Sequence, residues 1–312
     1  MIRIFQSVEG RVKQLETETD FSQLEKGSWL HVVAPTNEEL DLLASKLEVE
    51  REILHYPLDE DERSRIEQEE NYTLFIINFP ITVPGSYDTC PFGILLTESF
   101  IVTICVQEPV FLAEFTNNKI RTFDTRKKMR FVLQILYRIS ILFMLYLRQI
   151  SRRIDHIEET LKTATKNPEL IKLLGLGKSL VYFSTALRAN QNVLEKIQKV
   201  KYFRIYEEDH ELLEDTITEN RQSMEMATIY SNILASTSDA YASVISNNLN
   251  AVMKFMTTAT IVIMLPTTIF NLYGMNLDLP FQRSPFGFLI VCGAAFLVTI
   301  VSVIFFIRQK FF

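Results

Sequence analysis

Hydrophobic and polar positions follow three rhythms along this chain. Through about residue 110 the apolar residues fall in short runs, Trp29 to Val33, Thr73 to Phe79, Ile94 to Thr97 and Phe100 to Val106. Turn residues, Pro84-Gly85 and Thr97-Glu98-Ser99, punctuate them, so the runs predict strands. Thr36 and Glu39 predict a capping box ahead of Leu40, Leu43 and Leu47, which stand at helical spacing. The expectation is an α/β or α+β domain, a small sheet covered by helices.

From about Thr125 to Thr165 the spacing turns helical. Its most apolar stretch, Ile139 to Leu147, lies between Arg138 and Arg148, too short to cross hydrocarbon, and predicts a helix buried in the soluble part. Asn167-Pro168 predicts a break, and Gly175 with Gly177 a further turn. Residues 178–265 then contain neither glycine nor proline. They predict a helix of roughly 25 residues, a break near Tyr206 to Asp209, and one helix from Glu211 to Leu272, about 93 Å long. A helix of that length needs a partner surface. A ladder in steps of four and three, Leu213, Ile217, Asn220, Met224, Ala227, Ser231, Leu234, Ser238, Tyr241, Ile245, Asn248 and Val252, predicts a self-associating stalk. Its apolar rungs alternate with Asn, Ser and Ala, which suits several helices around a partly wet axis, an oligomer with a central passage.

The third rhythm is uniform. Phe255 to Leu277 and Pro285 to Ile307 are uncharged runs of 23 residues each. Each is long enough to span a bilayer. Lys254 precedes the first run and Arg308 and Lys310 follow the second, whereas the loop between holds only Asp278 and Arg283. The positive-inside rule then puts both termini in the cytoplasm. The expected order is a cytoplasmic α/β domain with additional helices over 1–205 and a stalk over 206–254. A first span over 255–277, an extracytoplasmic loop over 278–284, a second span over 285–307 and a basic tail over 308–312 follow. No apolar core of signal-peptide length precedes Glu9, Arg11 and Lys13, in keeping with a cytosolic amino-terminal domain.

Composition narrows the chemistry. A net charge of −6 with only Lys127-Lys128 and Arg152-Arg153 as basic pairs argues against nucleic acid. Cys90, Cys105 and Cys292 lack CxxC spacing and predict reduced packing residues. Gly175-Leu176-Gly177-Lys178-Ser179 resembles the end of a phosphate loop, but Lys172 stands where that loop needs another glycine. His31, His55, His156 and His210 have no metal-type pairing and no serine sits in a GxSxG elbow, so no enzyme is expected. Asp59-Glu60-Asp61-Glu62 and the cluster of Glu207, Glu208, Asp209, Glu211, Glu214 and Asp215 can attract a divalent cation or simply form solvated helix ends.

Leading into and along the first uncharged run, polar and sulfur-bearing residues fall on one stripe: Asn250, Met253, Met256, Thr260, Met264, Thr267 and Asn271, with Asn276 beyond the helix end. Phe255, Ile261, Val262, Ile269 and Leu272 occupy the other faces. Such a stripe suits a pore wall or a helix interface. Tyr273-Gly274-Met275-Asn276, placed at the turn between two carboxyl-terminal spans, resembles the CorA family of divalent-cation channels, whose signature is Gly-Met-Asn at this position. Asn247-Asn248-Leu249-Asn250-Ala251-Val252-Met253-Lys254 is similar to that family's entry to the first span, and Leu58-Asp59-Glu60-Asp61-Glu62-Arg63 adds a weaker likeness.

The resemblance implies a homopentameric funnel in the plasma (cell inner) membrane, passing Mg²⁺ and, as family members do, Co²⁺ or Ni²⁺. It further implies closure by cytosolic Mg²⁺ held by acidic residues between soluble domains, with Asp215 beside Glu214 as the counterpart here. Asn276 would meet the ion through its hydration shell and the Gly274 backbone would approach closely, with Tyr273 and Met275 packing the turn. After the motif the chain departs from the common Met-Pro-Glu-Leu loop, carrying Leu277-Asp278-Leu279-Pro280-Phe281-Gln282-Arg283. A zinc transporter of the same superfamily, which usually has Ile in place of Met275, and a non-conducting membrane-tethered metal sensor are the alternatives.

Overall fold

A computed structural model of the chain describes residues 1–8, 10–15, 24–120, 122–163, 167–199, 206–276, 279–280 and 285–309. The chain divides into two compact units, Met1–Ser238 and Asp239–Phe312. The first unit is built on seven strands: β1 Ile2–Val8, β2 Arg11–Leu15, β3 Trp29–Val33, β4 Arg65–Gln68, β5 Tyr72–Val83, β6 Ser86–Thr97 and β7 Ile101–Cys105. They form one sheet in the order β2-β1-β3-β7-β6-β5-β4. β3 and β7 run parallel, Trp29 beside Ile101 and Val33 beside Cys105. The other neighbouring pairs are antiparallel.

The four apolar runs are the central strands β3, β5, β6 and β7. The outer strands β2 and β4 escaped notice because charges interrupt them, as in Arg11-Val12-Lys13 and Arg65-Ile66-Glu67. Charged, short strands are what an edge requires, since they discourage pairing with other chains. The predicted turn at Pro84-Gly85 joins β5 to β6 with Val83 opposite Ser86, and Gly85 takes a φ of 81°, which a residue with a Cβ adopts at a cost.

Central strands are apolar on both faces, the mark of a sheet covered on both sides. Leu30, Val32, Leu74, Ile76, Leu95, Val102 and Ile104 pack against the helices α1, Asn37–Leu47, and α2, Arg51–His55. The capping box of α1 is present: Thr36 Oγ1 accepts from the Glu39 N–H, and Glu39 accepts from the Thr36 N–H. Behind α2, Pro57 fills the space over Gly93 on β6, where an added Cβ would lie 2.2 Å from its ring. That packing anchors the acidic loop beginning at Asp59.

The opposite face is aromatic. Trp29 stacks on Phe5 at 4.7 Å and meets Phe131 edge-on at 4.9 Å. His31 is buried here at 1 % exposure. Its Nδ1 lies 2.8 Å from Thr103 Oγ1, which also accepts from Trp29 Nε1 at 2.8 Å. Burial, reinforced by the Arg3 cation, holds the imidazole down at about 3. Burial likewise pushes the Cys90 thiol up to about 11 and that of Cys105 higher still, so both are inert packing residues, unbridged as expected.

After the short helix α3, Ala113–Thr116, two long helices cover the sheet: α4, Lys128–Thr163, and α5, Asn167–Lys199. The predicted apolar stretch of α4 is buried, with Phe143 and Leu147 at 0 % exposure. The predicted turn at Gly175 and Gly177 is wrong, because α5 runs through both. Glycine inside a helix costs only about 1 kcal/mol, and tertiary contacts outweigh it here. Ser179 Oγ accepts from the Tyr87 N–H at 2.9 Å and donates to the Tyr87 carbonyl at 2.8 Å, stitching α5 to β6. A Cβ on Gly177 would sit 3.4 Å from Leu234 Cδ2, so the glycine sets a close approach. The phosphate-loop likeness is thereby disposed of, its serine hydroxyl being committed to the sheet.

The helix α6, Glu207–Tyr273, is continuous over 67 residues and contains Pro266. It begins where the break near Tyr206 was expected. Its ladder, however, does not serve one purpose. Leu213, Ile217, Asn220 and Ala227 are buried within the first unit, at 1, 8, 1 and 0 % exposure. The stalk's upper rungs are therefore spent on α4 and α5, as the bonds of Asn220 to Leu187 and of Ser223 to Ser140 show. The lower rungs, with Ile245 and Val252 at 37 and 59 % exposure, are left uncovered by the described residues. The reason is that four-and-three spacing marks a buried face without saying whether the covering helix belongs to the same chain. The first turn of α6 is anchored by Asp209, 1 % exposed, with Arg130 of α4 at 3.4 Å.

Two outcomes are expected. The unfolded chain protonates His31 near pH 6.5 while the folded chain does not until about 3. Its stabilising contribution is thus complete above pH 6.5 and lost as pH falls below it, at up to about 1.4 kcal/mol per pH unit. Thermal melts of the detergent-solubilised protein between pH 7 and 4 should fall less steeply for His31→Gln. Arg130→Met strands the buried Asp209 carboxylate and should destabilise by roughly 3–5 kcal/mol, with most of the loss recovered in Arg130→Met/Asp209→Leu.

Candidate functional site

Among the described residues four helices are long and apolar enough to cross a membrane, yet they differ in what covers them. Within the most apolar window, α4 is 61 % buried and α5 39 %, whereas α6 and the last helix, α7, Gly287–Arg308, are 6 % buried. The apolar surface of α4 is thus mostly covered inside the first unit and that of α5 partly so. Those of α6 and α7 require an apolar surrounding that the chain does not provide, as hydrocarbon or further copies would.

The second unit gives α6 a covered side and an open side. Thr258 is 1 % exposed, and Ala259, Val262, Pro266 and Ile269 are half-buried. At about 100° per residue these positions cluster on one side. Met253, Met256, Thr260, Met264, Thr267 and Asn271 are all exposed and centre roughly 150° away from that side. Asn250, also exposed, stands at the edge of this stripe. Of the residues expected off the stripe, Val262 and Ile269 belong to the covered side, while Phe255, Ile261 and Leu272 stay exposed at 53, 37 and 51 %. On α7 Gly287 and Ala295 are buried, and Val291, Cys292, Val298, Thr299, Ser302, Val303 and Phe306 half-buried. The two fully covered positions are small, which lets helices approach closely.

The stripe's threonines have a defined polarity. Thr260 Oγ1 donates to the Met256 carbonyl at 2.8 Å and Thr267 Oγ1 to the Ile263 carbonyl at 2.7 Å. Each hydroxyl hydrogen is committed to the backbone, so each oxygen presents lone pairs outward as an acceptor. Acceptors facing an open side suit the hydrogens of a cation's water shell.

At the far end α6 closes in tighter turns. The Gly274 N–H donates to the carbonyls of Phe270 at 2.9 Å and Asn271 at 3.2 Å, and the Met275 N–H to that of Leu272 at 3.3 Å. A Cβ on Gly274 would meet the Asn271 carbonyl oxygen at 3.4 Å, a close but possible contact, so here the glycine thins the turn. The Tyr273 hydroxyl donates to the Pro280 carbonyl at 3.2 Å, fastening the returning chain, a contact the sequence did not announce. Met275 is 50 % exposed, so within one chain it does not pack the turn as expected. Asn276 is exposed just beyond the helix end. The mouth residues Asp278 and Arg283, and Lys310 of the tail, lie outside the described residues.

The acidic positions are less organised. Glu214 and Asp215 are exposed neighbours on α6. Among the described residues no three His, Cys, Asp or Glu side chains converge as a metal site. In the loop after α2, Asp59 accepts from the Asp61 N–H at 3.1 Å and Glu62 pairs with Arg65. This loop borders an open pocket of about 1220 Å³ whose rim mixes Glu60, Asp61 and Asp88 with Arg63 and Arg188. Interleaved guanidiniums deny it the single-sign field that a bare divalent ion would need.

Comparison with known proteins converges on one group. Residues 25–308 match the family described as CorA-like Mg2+ transporter protein. The chain is 28 % identical over 292 residues to the cobalt/magnesium transport protein CorA of Methanocaldococcus jannaschii, covering 90 % of each. It is 21 % identical to the putative metal ion transporter YfjQ of Bacillus subtilis, over 91 % of this chain and 89 % of that one. The complete structure of the CorA magnesium transporter from Methanocaldococcus jannaschii superposes with a TM-score of 0.85 at 25 % identity, covering 100 % of this chain and 99 % of the other. From the sheet through the turn at Gly274 to the last turn of α7, this chain belongs to the CorA family.

Proposed function

We propose that the protein is a passive, membrane-potential-driven influx channel for hydrated Mg²⁺, able to pass Co²⁺ or Ni²⁺, closed by Mg²⁺ on its cytosolic side. The observation that carries this reading is the exposed stripe of Met, Thr and Asn on the open side of α6, running to the Gly274–Asn276 turn. Kinship with a cobalt/magnesium transport protein supports the choice of ion.

Mg²⁺ demands octahedral geometry at about 2.0–2.1 Å and sheds water reluctantly, so a pore passes it most readily with its shell in place. In a homopentamer, five copies of Asn276 aim amide oxygens at those waters, with the thin Gly274 turn allowing the approach. Neutral acceptors hold loosely enough to release the ion. Thr260, Thr267, Asn271 and Asn250 continue as wet steps, and Met253, Met256 and Met264 form constrictions that close by dewetting. Two charges crossing about 100 mV gain about 4.6 kcal/mol, at roughly 2.3 per charge, so inward flow needs no ATP.

In this reading α6 and α7 span the plasma membrane with both termini in the cytoplasm. Cytosolic Mg²⁺ is held by Asp215 and Glu214 between neighbouring soluble units.

Reconstituted vesicles with an inside-negative potential test the proposal. Wild type should take up Mg²⁺, hexaammine cobalt should compete because it mimics the hydrated ion, and Asn276→Ala should reduce uptake to background. Uptake of Zn²⁺ alone would move the chain to a zinc carrier, and uptake of neither ion would leave a sensor. If Met264 is a dewetting constriction, Met264→Gly should raise leak current in planar bilayers several-fold without changing assembly.

A further inference from the structure

The buried seam of α6 is polar at its centre, unlike the apolar core around the sheet. Thr216, Asn220 and Ser223 are 0, 1 and 0 % exposed. The Asn220 Nδ2 donates to the Leu187 carbonyl at 3.1 Å and to Gln191 Oε1 at 3.0 Å, both on α5. Its Oδ1 is buried without a hydrogen-bond partner. Ser223 Oγ donates to the Ser140 carbonyl of α4 at 3.4 Å.

A leucine at 220 alone would strand the buried Gln191 Oε1, whereas leucines at both 220 and 191 would fill this place and leave neither side chain with an unpaired polar atom, and such paired replacements are often neutral or stabilising. Stability therefore does not explain the asparagine. What a buried amide supplies is register. Sliding α6 by one residue turns it about 100° and shifts it about 1.5 Å, which removes the amide from both acceptors. Gln191 is itself held by Glu195 at 3.3 Å, and Glu195 by Lys199 at 3.4 Å, so the receiving side is braced along α5. Because α6 continues unbroken to Tyr273, the setting of the seam is carried along the helix that bears the stripe.

We infer that Asn220 is a positioning residue for conduction: its two hydrogen bonds to α5 pin α6 in one register, and their release lets α6 pass between conducting and closed settings. The inference rests on the channel reading above. It makes the α5–α6 seam, distinct from both the pore turn and the acidic residues of α6, a determinant of gating.

The test uses the full-length protein as wild type, Asn220→Leu, Gln191→Leu and the double variant, with Mg²⁺ uptake measured against internal Mg²⁺. Gln191→Leu removes one of the two bonds and should displace the half-closing concentration by about fivefold, the size of one neutral hydrogen bond, and Asn220→Leu, which removes both, should displace it further in the same direction. The double variant should go no further than Asn220→Leu, since that change already removes the Gln191 bond. Each single variant leaves a buried polar group unpaired and should melt lower, whereas the double variant should melt close to wild type while keeping the displaced half-closing concentration. A merely structural asparagine would leave the half-closing concentration alone in all three variants, which would overturn the proposal. A wild type that carries no Mg²⁺ would defeat the channel reading and not the pin. Spin labels at exposed Thr185 on α5 and Glu225 on α6 therefore report the seam directly. One narrow distance in wild type, shifted or broadened in both variants, supports the pin, and an unchanged distance in both overturns it.

Discussion

Hydrocarbon offers no partner for a peptide N–H or C=O, so a segment that crosses it must satisfy its own backbone, and a helix is the only local way to do so. In the channel reading proposed above, α6 answers that constraint by remaining one helix for 67 residues, while its burial changes along the way. Its first turns are buried on α4 and α5, and its last turns expose Ile263, Met264 and Phe270 at 67, 65 and 48 %. One helix, unbroken, thus runs from the first unit to the Gly274 turn.

The first unit supports the start of that helix. A sheet packed on both faces anchors α5 through Ser179 on the Tyr87 backbone and Asn190 on the Asn78 backbone. These are buried, directional contacts, and they determine where α5 lies more narrowly than apolar packing alone does. α6 is then seated on α5 by Asn220 and on α4 by the Asp209–Arg130 pair. The polar contacts at helix seams and the apolar packing at the sheet thus divide the labour between register and cohesion.

Along the exposed stripe and at the Gly274 turn the chemistry is one of acceptors. Threonine hydroxyls spend their hydrogens on the preceding turn of the helix, leaving oxygens to face the open side, and Asn276 adds an amide beyond the helix end. Nothing in such a stripe binds a bare cation strongly, which is what a route for hydrated ions needs.

Much of this was legible in the residues. The two uncharged runs, the capping box at Thr36, the central strands and the unbroken helix to Tyr273 follow from local pattern, because hydrophobic period and turn chemistry act over a few residues. The Gly274-Met275-Asn276 turn was legible for the same reason, as a polar motif between two long apolar runs. Tertiary structure decided the rest. Edge strands β2 and β4 are held by their neighbours in the sheet, against their own charged composition. Gly175 and Gly177 stay helical because Ser179 grips β6. The upper ladder of α6 is covered by its own chain, and Tyr273 reaches Pro280 across a turn that no spacing rule foretells. Each of these depends on a partner distant in sequence, and periodicity tells which face is buried without telling what buries it.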